Sequence, residues 1–458
     1  MTNHADLPDA SPAQRWWTRF QGGPLGRRAS GDGPLRTVGP WAMAAFAISW
    51  LVLMARQLPC REGVQPYGAL CYTDITTLYY ARGLRDGQIP YLDSALEYPV
   101  LTGGLVELAR RITMLLGGQS RPGLSDEDVR TASEIFFGVN TMLLFALFAV
   151  LVATHLRLSR PQDALMVAAA PAITTAGLIN WDGLVVALTS LALLAWARGR
   201  PGWTGVLIGL GVAAKLYPAF LLLPLGVLCL RAGRWRAFFT TVATAVVAWL
   251  VVDVPVYLAN PANWLYFWEF NATGRGADLG SIWYVLQLMN HPVPDVSMTW
   301  KLALVVGYLA IAALLLVAPV RPRLAQGAFL VVAWFLVVNV VYSPQYVLWL
   351  LPLLVLARPR WVDWAVFSAA EAFYYVFIWY FLDGSINAPG TDQARLYWVA
   401  VFVRVGVQLW LCARVVADLW RPQRDIVRRG GLDDPDGGLL DGRPDASWLA
   451  RLRTGGPQ

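Results

Sequence analysis

The sequence predicts an all-α polytopic membrane protein, a bundle of about twelve transmembrane helices. Three observations carry that reading. Of 458 residues, 57% are hydrophobic and only 15% charged, against about 25% charged in a soluble domain. The apolar residues fall in runs, several close to the ~20 residues that a bilayer core requires. Between the runs, arginines gather in short links, as positive charge gathers in the cytoplasmic loops of membrane proteins. The net charge of +7 does not indicate nucleic acid, because the arginines are scattered in twos and threes with no basic helix or aromatic-interleaved patch.

Taken in order, residues 1–37 are polar, rich in Gly and Pro, and carry Arg15, Arg19, Arg27, Arg28 and Arg36; they read as a disordered cytoplasmic arm. The first run, 38–57, reads as an uncleaved anchor, since Pro59 before Cys60 is not the small residue that cleavage needs and the preceding charged stretch is too long for a signal peptide. Residues 58–132 are placed outside. Within them "YPVLTGGLVELARRITMLLGG" is helical and apolar, but Glu107, Arg110 and Arg111 segregate to one face, the pattern of a helix lying in the interface. Were it a true span, the "RLSRP" after His155 would fall outside and every later loop would invert.

Runs at 133–154, 163–179, 183–197, 203–215, 217–230, 238–258, 299–318, 325–342, 345–357, 362–382 and 396–417 complete the set, several of them shorter than a full span. The links "RLSRP", "RGRPG", "RAGRWR", "RPR" and "RPRW" alternate with arginine-poor links such as "NWDG" and "YSPQY", which sets the basic links inside. Residues 421–458, full of Asp, Gly and Pro, read as a disordered cytoplasmic tail. Both termini are thus expected in the cytoplasm, with one membrane domain over 38–420 and no internal repeat or second folded domain.

Under that topology the unusual polar clusters share the outer face: Asp74, Asp93, Glu97, Asp182 in "NWDG", Lys215 to Pro218 in "KLYP", Arg275 and Asp278, and Ser343 to Tyr346. The middle of the bilayer holds few ionisable groups. Glu371 and Arg404 fall at similar depth on consecutive helices and read as a structural ion pair, because opposite charges at equal depth satisfy each other. A transporter places its charges near the midplane on broken helices. An enzyme acting on a lipid headgroup places them at one interface.

The ordered series "YTDITTLYYARGLRDGQIPY", "EYPVLTG", "KLYP", "FNATGRGADLGSIWYVL" and "YSPQYVLWLLP" resembles the bacterial polyprenyl-phosphate-mannose-dependent mannosyltransferases of the GT-C superfamily, from Tyr72 to Pro352. The resemblance implies a GT-C-like bundle with interfacial helices in the first outer loop, in the cytoplasmic membrane of a bacterium. It implies transfer of a sugar, mannose in the first instance, from a polyprenyl-phosphate carrier to a glycolipid or glycan outside the cell. It also implies that the acidic residue of the first outer loop, here Asp74, is catalytic. Many relatives carry paired acids there; this chain has Thr73-Asp74-Ile75, which favours a lone base over a metal ligand, and no metal or other cofactor is expected.

The chemistry agrees. Transfer to a hydroxyl needs one proton removed, which a carboxylate can do. A phosphate leaving group needs no acid but gains negative charge, so a cation should lie near it. Lys215 and Arg275 are the candidates. Arg275, between Gly274 and Gly276, could grip a phosphate with paired hydrogen bonds. Lys215 could equally snorkel to the headgroups, and Tyr217 beside it is grouped with the phosphate contacts. Gln345 and Tyr346 open a helix after Pro344, where free backbone N–H groups favour an anion. Glu97, Tyr98 and Asp278 are candidates for sugar or acceptor contacts. Asp182 belongs to the same set, although capping a helix suits it best, and Thr73 or Asp74 could likewise cap the helix that follows. His291 reads as a loop residue, three histidines form no metal cluster, and the Asn271-Ala272-Thr273 sequon is read as accidental. Cys60 and Cys71 are close enough in the first outer loop to form a disulfide; Cys229 and Cys412 lie in spans and should be free. Two other readings stay open, a lipid-linked-sugar flippase and a non-catalytic scaffold.

Overall fold

A computed structural model describes residues 33–272, 276–389, 391, 393–429 and 431–449. Most of the expected N-terminal arm therefore lies outside the described residues. The described chain is helical, with a single isolated bridge, Pro90 to Ser94, as its only β pairing. Six of its helices are long and apolar enough to cross a membrane, and shorter apolar helices fill the space between them.

Helix α1 (Gly33–Arg61) buries Phe46 and Trp50 against Phe145 and Phe148. At its end Cys60 is joined to Cys71 by a disulfide, which anchors the loop leading to α2 (Asp74–Ala81). Next is α3 (Val100–Leu115), the expected interfacial helix, whose buried side carries Val100, Val106 and Ala109 while Leu115 and Leu116 are exposed. Its charges do not all lie on one outer face. Arg110 is buried and, like the exposed Arg111, donates to Glu107 at 2.7 Å.

Helix α4 (Asp126–His155) opens with a Ser125 cap and three acidic residues in its first turn, both favourable where N–H groups are unpaired. The run expected at 163–179 is two short helices, α5 (Ala164–Ala168) and α6 (Pro171–Ala176); the break falls where Pro171 disfavours helical backbone in the residue before it. Then come α7 (Asp182–Ala197) and α8 (Pro201–Ala214), a tight 3-10 turn over Tyr217–Leu221, α9 (Leu222–Arg231) and α10 (Trp235–Ala259). Gly205 and Gly209, four apart on α8, face the carbonyls of Thr241 and Ala245 so closely that any Cβ would collide, the small-residue contact that lets membrane helices cross at short range.

The second half comprises α11 (Pro261–Ala272), α12 (Ile282–Leu288), α13 (Val296–Val317), α14 (Leu324–Val338), α15 (Val347–Ala357), α16 (Trp361–Asp383) and α17 (Arg395–Trp420). Helices α14 and α15 form the centre, buried along nearly their whole length. Helix α13 stands at the rim with only Gly307 and Leu315 buried. The run expected at 325–342 ends as a helix at Val338, and residues 339–343 turn irregularly toward the site.

The tail is the main correction. Residues 421–449, expected to be disordered on composition, pack across one end of the bundle and reach all of the arginine-rich links. Asp436 accepts from the Ser159 amide and hydroxyl, and Gly438 lies against the Trp196 carbonyl. Asp445 pairs with Arg231, Asp433 with Arg321 and Asp425 with Arg323, at 2.6, 2.7 and 2.7 Å. Arg360 donates to the Arg424 carbonyl. A low-hydrophobicity segment can order here because buried arginines, almost without exposed surface, need counter-charges.

Candidate active site

At the end of the bundle opposite the tail, the polar islands converge on a cavity of about 360 Å³. Thr73 is the cap of α2: its hydroxyl accepts from the Ile75 amide at 3.2 Å and donates to the Leu178 carbonyl at 2.6 Å. Asp74 N–H donates to the Ile179 carbonyl. Capping thus falls to Thr73, and the Asp74 carboxylate is left to face the cavity. It accepts from the Tyr72 hydroxyl at 2.9 Å and the Tyr98 hydroxyl at 3.0 Å.

Burial raises the Asp74 carboxyl above its usual range, against the two tyrosine hydrogen bonds and the charge of Lys215, which pull it back. Burial and the neighbouring Asp74 hold the Tyr98 phenol well above its usual range, so it stays a donor. Tyr67, Tyr72 and Trp379 form a three-ring cluster on the cavity wall, with ring centroids 5.1 to 5.8 Å apart.

Lys215 ends α8 and points to the same cavity. Its ammonium lies 3.1 Å from Asp182 Oδ1 and 4.7 Å from the centre of the Tyr98 ring. Asp182 does not line the cavity and is not the helix cap. It is buried behind Lys215, accepting from Trp349 Nε1 at 2.9 Å while its amide donates to Asn180. Asn180 also donates to the Tyr98 hydroxyl. Glu97 lines the cavity but is engaged by Arg82 at 2.7 and 3.1 Å. Asp278 lines it too and accepts from the Leu279 amide. Arg275 lies outside the described residues.

Gln345 and Tyr346 close the floor on a 3-10 turn that opens at Pro344. The segment before them is fixed from below. Arg404, paired with Glu371 at 2.9 Å, donates to the Tyr342 and Ser343 carbonyls at 2.7 and 3.3 Å. Gly280, at φ +79°, presses on Tyr342, where any Cβ would strike its carbonyl and the Tyr374 hydroxyl. The Glu371–Arg404 pair read from the sequence is therefore present and supports the site.

Beside this polar cavity runs a second, more apolar groove of about 480 Å³. Lys215, Phe267, Asn271 and Tyr346 belong to both. Tyr217 lines only the groove, stacked on Trp349 at 4.6 Å, so its placement is on the apolar side and not in the polar cavity. Tyr67, Tyr72, Phe267 and Trp379 were not singled out from sequence. Of these, Tyr67 and Tyr72 carried a signal, lying in the loop just before Asp74; Phe267 and Trp379 reach the site from distant helices. Among the described residues no group of three or more His, Cys, Asp or Glu side chains is placed to hold a metal ion.

Carboxylate, cation and aromatic wall around one cavity, inside a helical membrane bundle, suit group transfer at a lipid boundary. Residues 128–344 match the model of glycosyltransferase family 87. That family is of the GT-C type, so the match supports a membrane glycosyltransferase. The matched stretch starts in α4, ends at Pro344, and takes in Asp182, Lys215 and Asp278; Asp74 and Tyr98 precede it. No curated protein matches the chain.

Proposed function

We propose that the protein transfers a sugar, mannose in the first instance, from a polyprenyl-phosphate carrier to a hydroxyl of a glycolipid or glycan, with inversion. The observation that carries this is the joining of a polar cavity and an apolar groove at Lys215. A lipid-linked sugar is such an object: a polar ring and an apolar tail with a phosphate between them. The groove takes the prenyl chain, Lys215 meets the phosphate, and the sugar lies against Tyr67, Tyr72 and Trp379.

Asp74 then takes the proton of the acceptor hydroxyl. The oxygen attacks the anomeric carbon from the side opposite the phosphate, the carbon–oxygen bond to phosphate breaks, and the bonding pair leaves on the lipid phosphate. Lys215 offsets the charge that develops there. Tyr72 and Tyr98 hold the carboxylate and keep their own protons. Gln345 and Tyr346 complete the donor contacts, Glu97 and Asp278 are placed for sugar or acceptor hydroxyls, and Asp182 acts through Lys215. Arg275 stays a candidate second cation by its sequence context.

The arginine-rich end is assigned to the cytoplasm, with both termini, and the cavity to the outer face of a bacterial cytoplasmic membrane. The charge bias of the links supports this, as does the Cys60–Cys71 disulfide on the cavity side. The test is Asp74→Asn in purified protein given prenyl-phosphate mannose, and then other prenyl-phosphate sugars, with membrane acceptors. Transfer should fall by roughly 10²- to 10⁴-fold while polyprenyl phosphate still binds. Full activity in Asp74→Asn would overturn the assignment, and no transfer by the wild type would favour a flippase or scaffold.

A further inference from the structure

The chain has 37 basic residues, and all but Lys215 and Lys301 are arginine. Both lysines line the same apolar groove, although they lie on different helices and far apart in sequence. Their surroundings differ. Lys215, where groove and polar cavity meet, is matched by Asp182. Lys301, in the second turn of α13, is exposed, and its hydrogen bond is to Ser297 Oγ at 3.1 Å. Among the described residues no carboxylate pairs with it.

Helix α13 is the least enclosed of the spanning helices: Met298, Leu302 and Val305 beside Lys301 are exposed and apolar. Lys301 thus stands where the groove meets the surrounding lipid, with Trp300 alongside in the lining. An unneutralised cation at the mouth of an apolar groove fits an anionic headgroup on a long apolar tail. A lysine ammonium is a compact, hydrated charge without the paired donors of arginine, so it can hold a phosphate and also let it go.

We propose that Lys301, with Ser297, is the first phosphate contact of the incoming lipid donor, holding it at the groove mouth before the phosphate moves inward to Lys215. This rests on the lipid-phosphate donor proposed above. Lys301 is a positioning residue for capture and takes no part in sugar transfer.

The test uses full-length protein in phosphatidylcholine nanodiscs, with Lys301→Gln and Lys301→Arg. For polyprenyl phosphate without a sugar, Lys301→Gln should weaken binding about fivefold, the size of a partly exposed charge contact. KM for the prenyl-phosphate sugar should rise by the same factor while kcat holds. The salt dependence of kcat/KM should become shallower, since one screened attraction is gone, and Lys301→Arg should recover most of the loss. Phosphatidylglycerol at equal mole fraction should not displace polyprenyl phosphate.

Unchanged binding and KM in Lys301→Gln, a fall in kcat alone, or equal competition by phosphatidylglycerol would each overturn the proposal. Its fate separates from that of the enzyme assignment. Lys301-dependent binding without any transfer sinks the enzyme and keeps the capture site; normal transfer that ignores Lys301 does the reverse.

Discussion

Tyr98 donates its hydroxyl proton to Asp74 at 3.0 Å, and the face of the same ring lies under the Lys215 ammonium. One side chain therefore couples the proposed base to the proposed phosphate cation. Removing the hydroxyl while keeping the ring separates the two roles. In Tyr98→Phe, Asp74 loses a hydrogen bond that lowers its pKa, so the acid limb of the rate–pH profile should move to higher pH. The base works ionised, and the rate falls as pH drops through that pKa. A profile that does not move would show that Asp74 is not the titrating base.

Lys215 and Asp182 should behave as a pair. Lys215→Gln leaves the buried Asp182 carboxylate without its counter-charge, a loss of about 3 kcal/mol, read as a lower thermal unfolding midpoint in detergent. Adding Asp182→Asn should restore the midpoint without restoring affinity for polyprenyl phosphate. Recovery of both would make Lys215 a structural cation only.

The floor of the cavity depends on Arg404 holding the Tyr342 and Ser343 carbonyls. Glu371→Gln should lower both stability and kcat, because a buried guanidinium without its carboxylate is costly and the turn carrying Gln345 and Tyr346 loosens. Arg404→Lys should do the same, since one ammonium cannot reproduce contacts to a carboxylate and two carbonyls. Wild-type kcat in Arg404→Lys would show that the turn holds itself.

Asp434 sits in the packed tail, where burial raises its carboxyl from 3.8 to about 6; the charge of Asp436 adds to this, and Arg323, Arg428 and the Leu324 amide oppose it. The folded protein thus keeps a proton that the unfolded chain has already released between those values. This contribution to stability is full below 3.8 and is lost as pH rises through about 6. Asp434→Asn should flatten the decline, checked by unfolding midpoints across that pH range. An equally steep decline in the variant would assign it to other groups.

Much of the bundle was legible because a spanning helix writes its own signature locally, in an apolar run and in the charge of the links beside it. The convergence of Asp74, Lys215, Asp278 and Gln345 was legible for a related reason: the alternation of the short arginine-rich links sets all four at the opposite end of the spans. Partnerships across long sequence distances were not. Asp182 looks like a helix cap in "NWDG" because its partners, Lys215 and Trp349, lie on other helices. Composition gave the tail as disordered because a segment of Asp, Gly and Pro has no core of its own. Its order comes from arginines as much as 214 positions away, as in Arg231–Asp445, and from the Ser159–Asp436 contact, 277 positions apart.

That tail has a consequence for biogenesis. The counter-charges of Arg231, Arg321 and Arg323 leave the ribosome only after the six spanning helices. While the helices are being inserted, these guanidinium groups must stay hydrated or borrow lipid phosphates, and the lock at that end can close only once the chain through Asp445 has emerged. A nascent chain halted before Asp425 would carry the six spanning helices, yet remain open at that end.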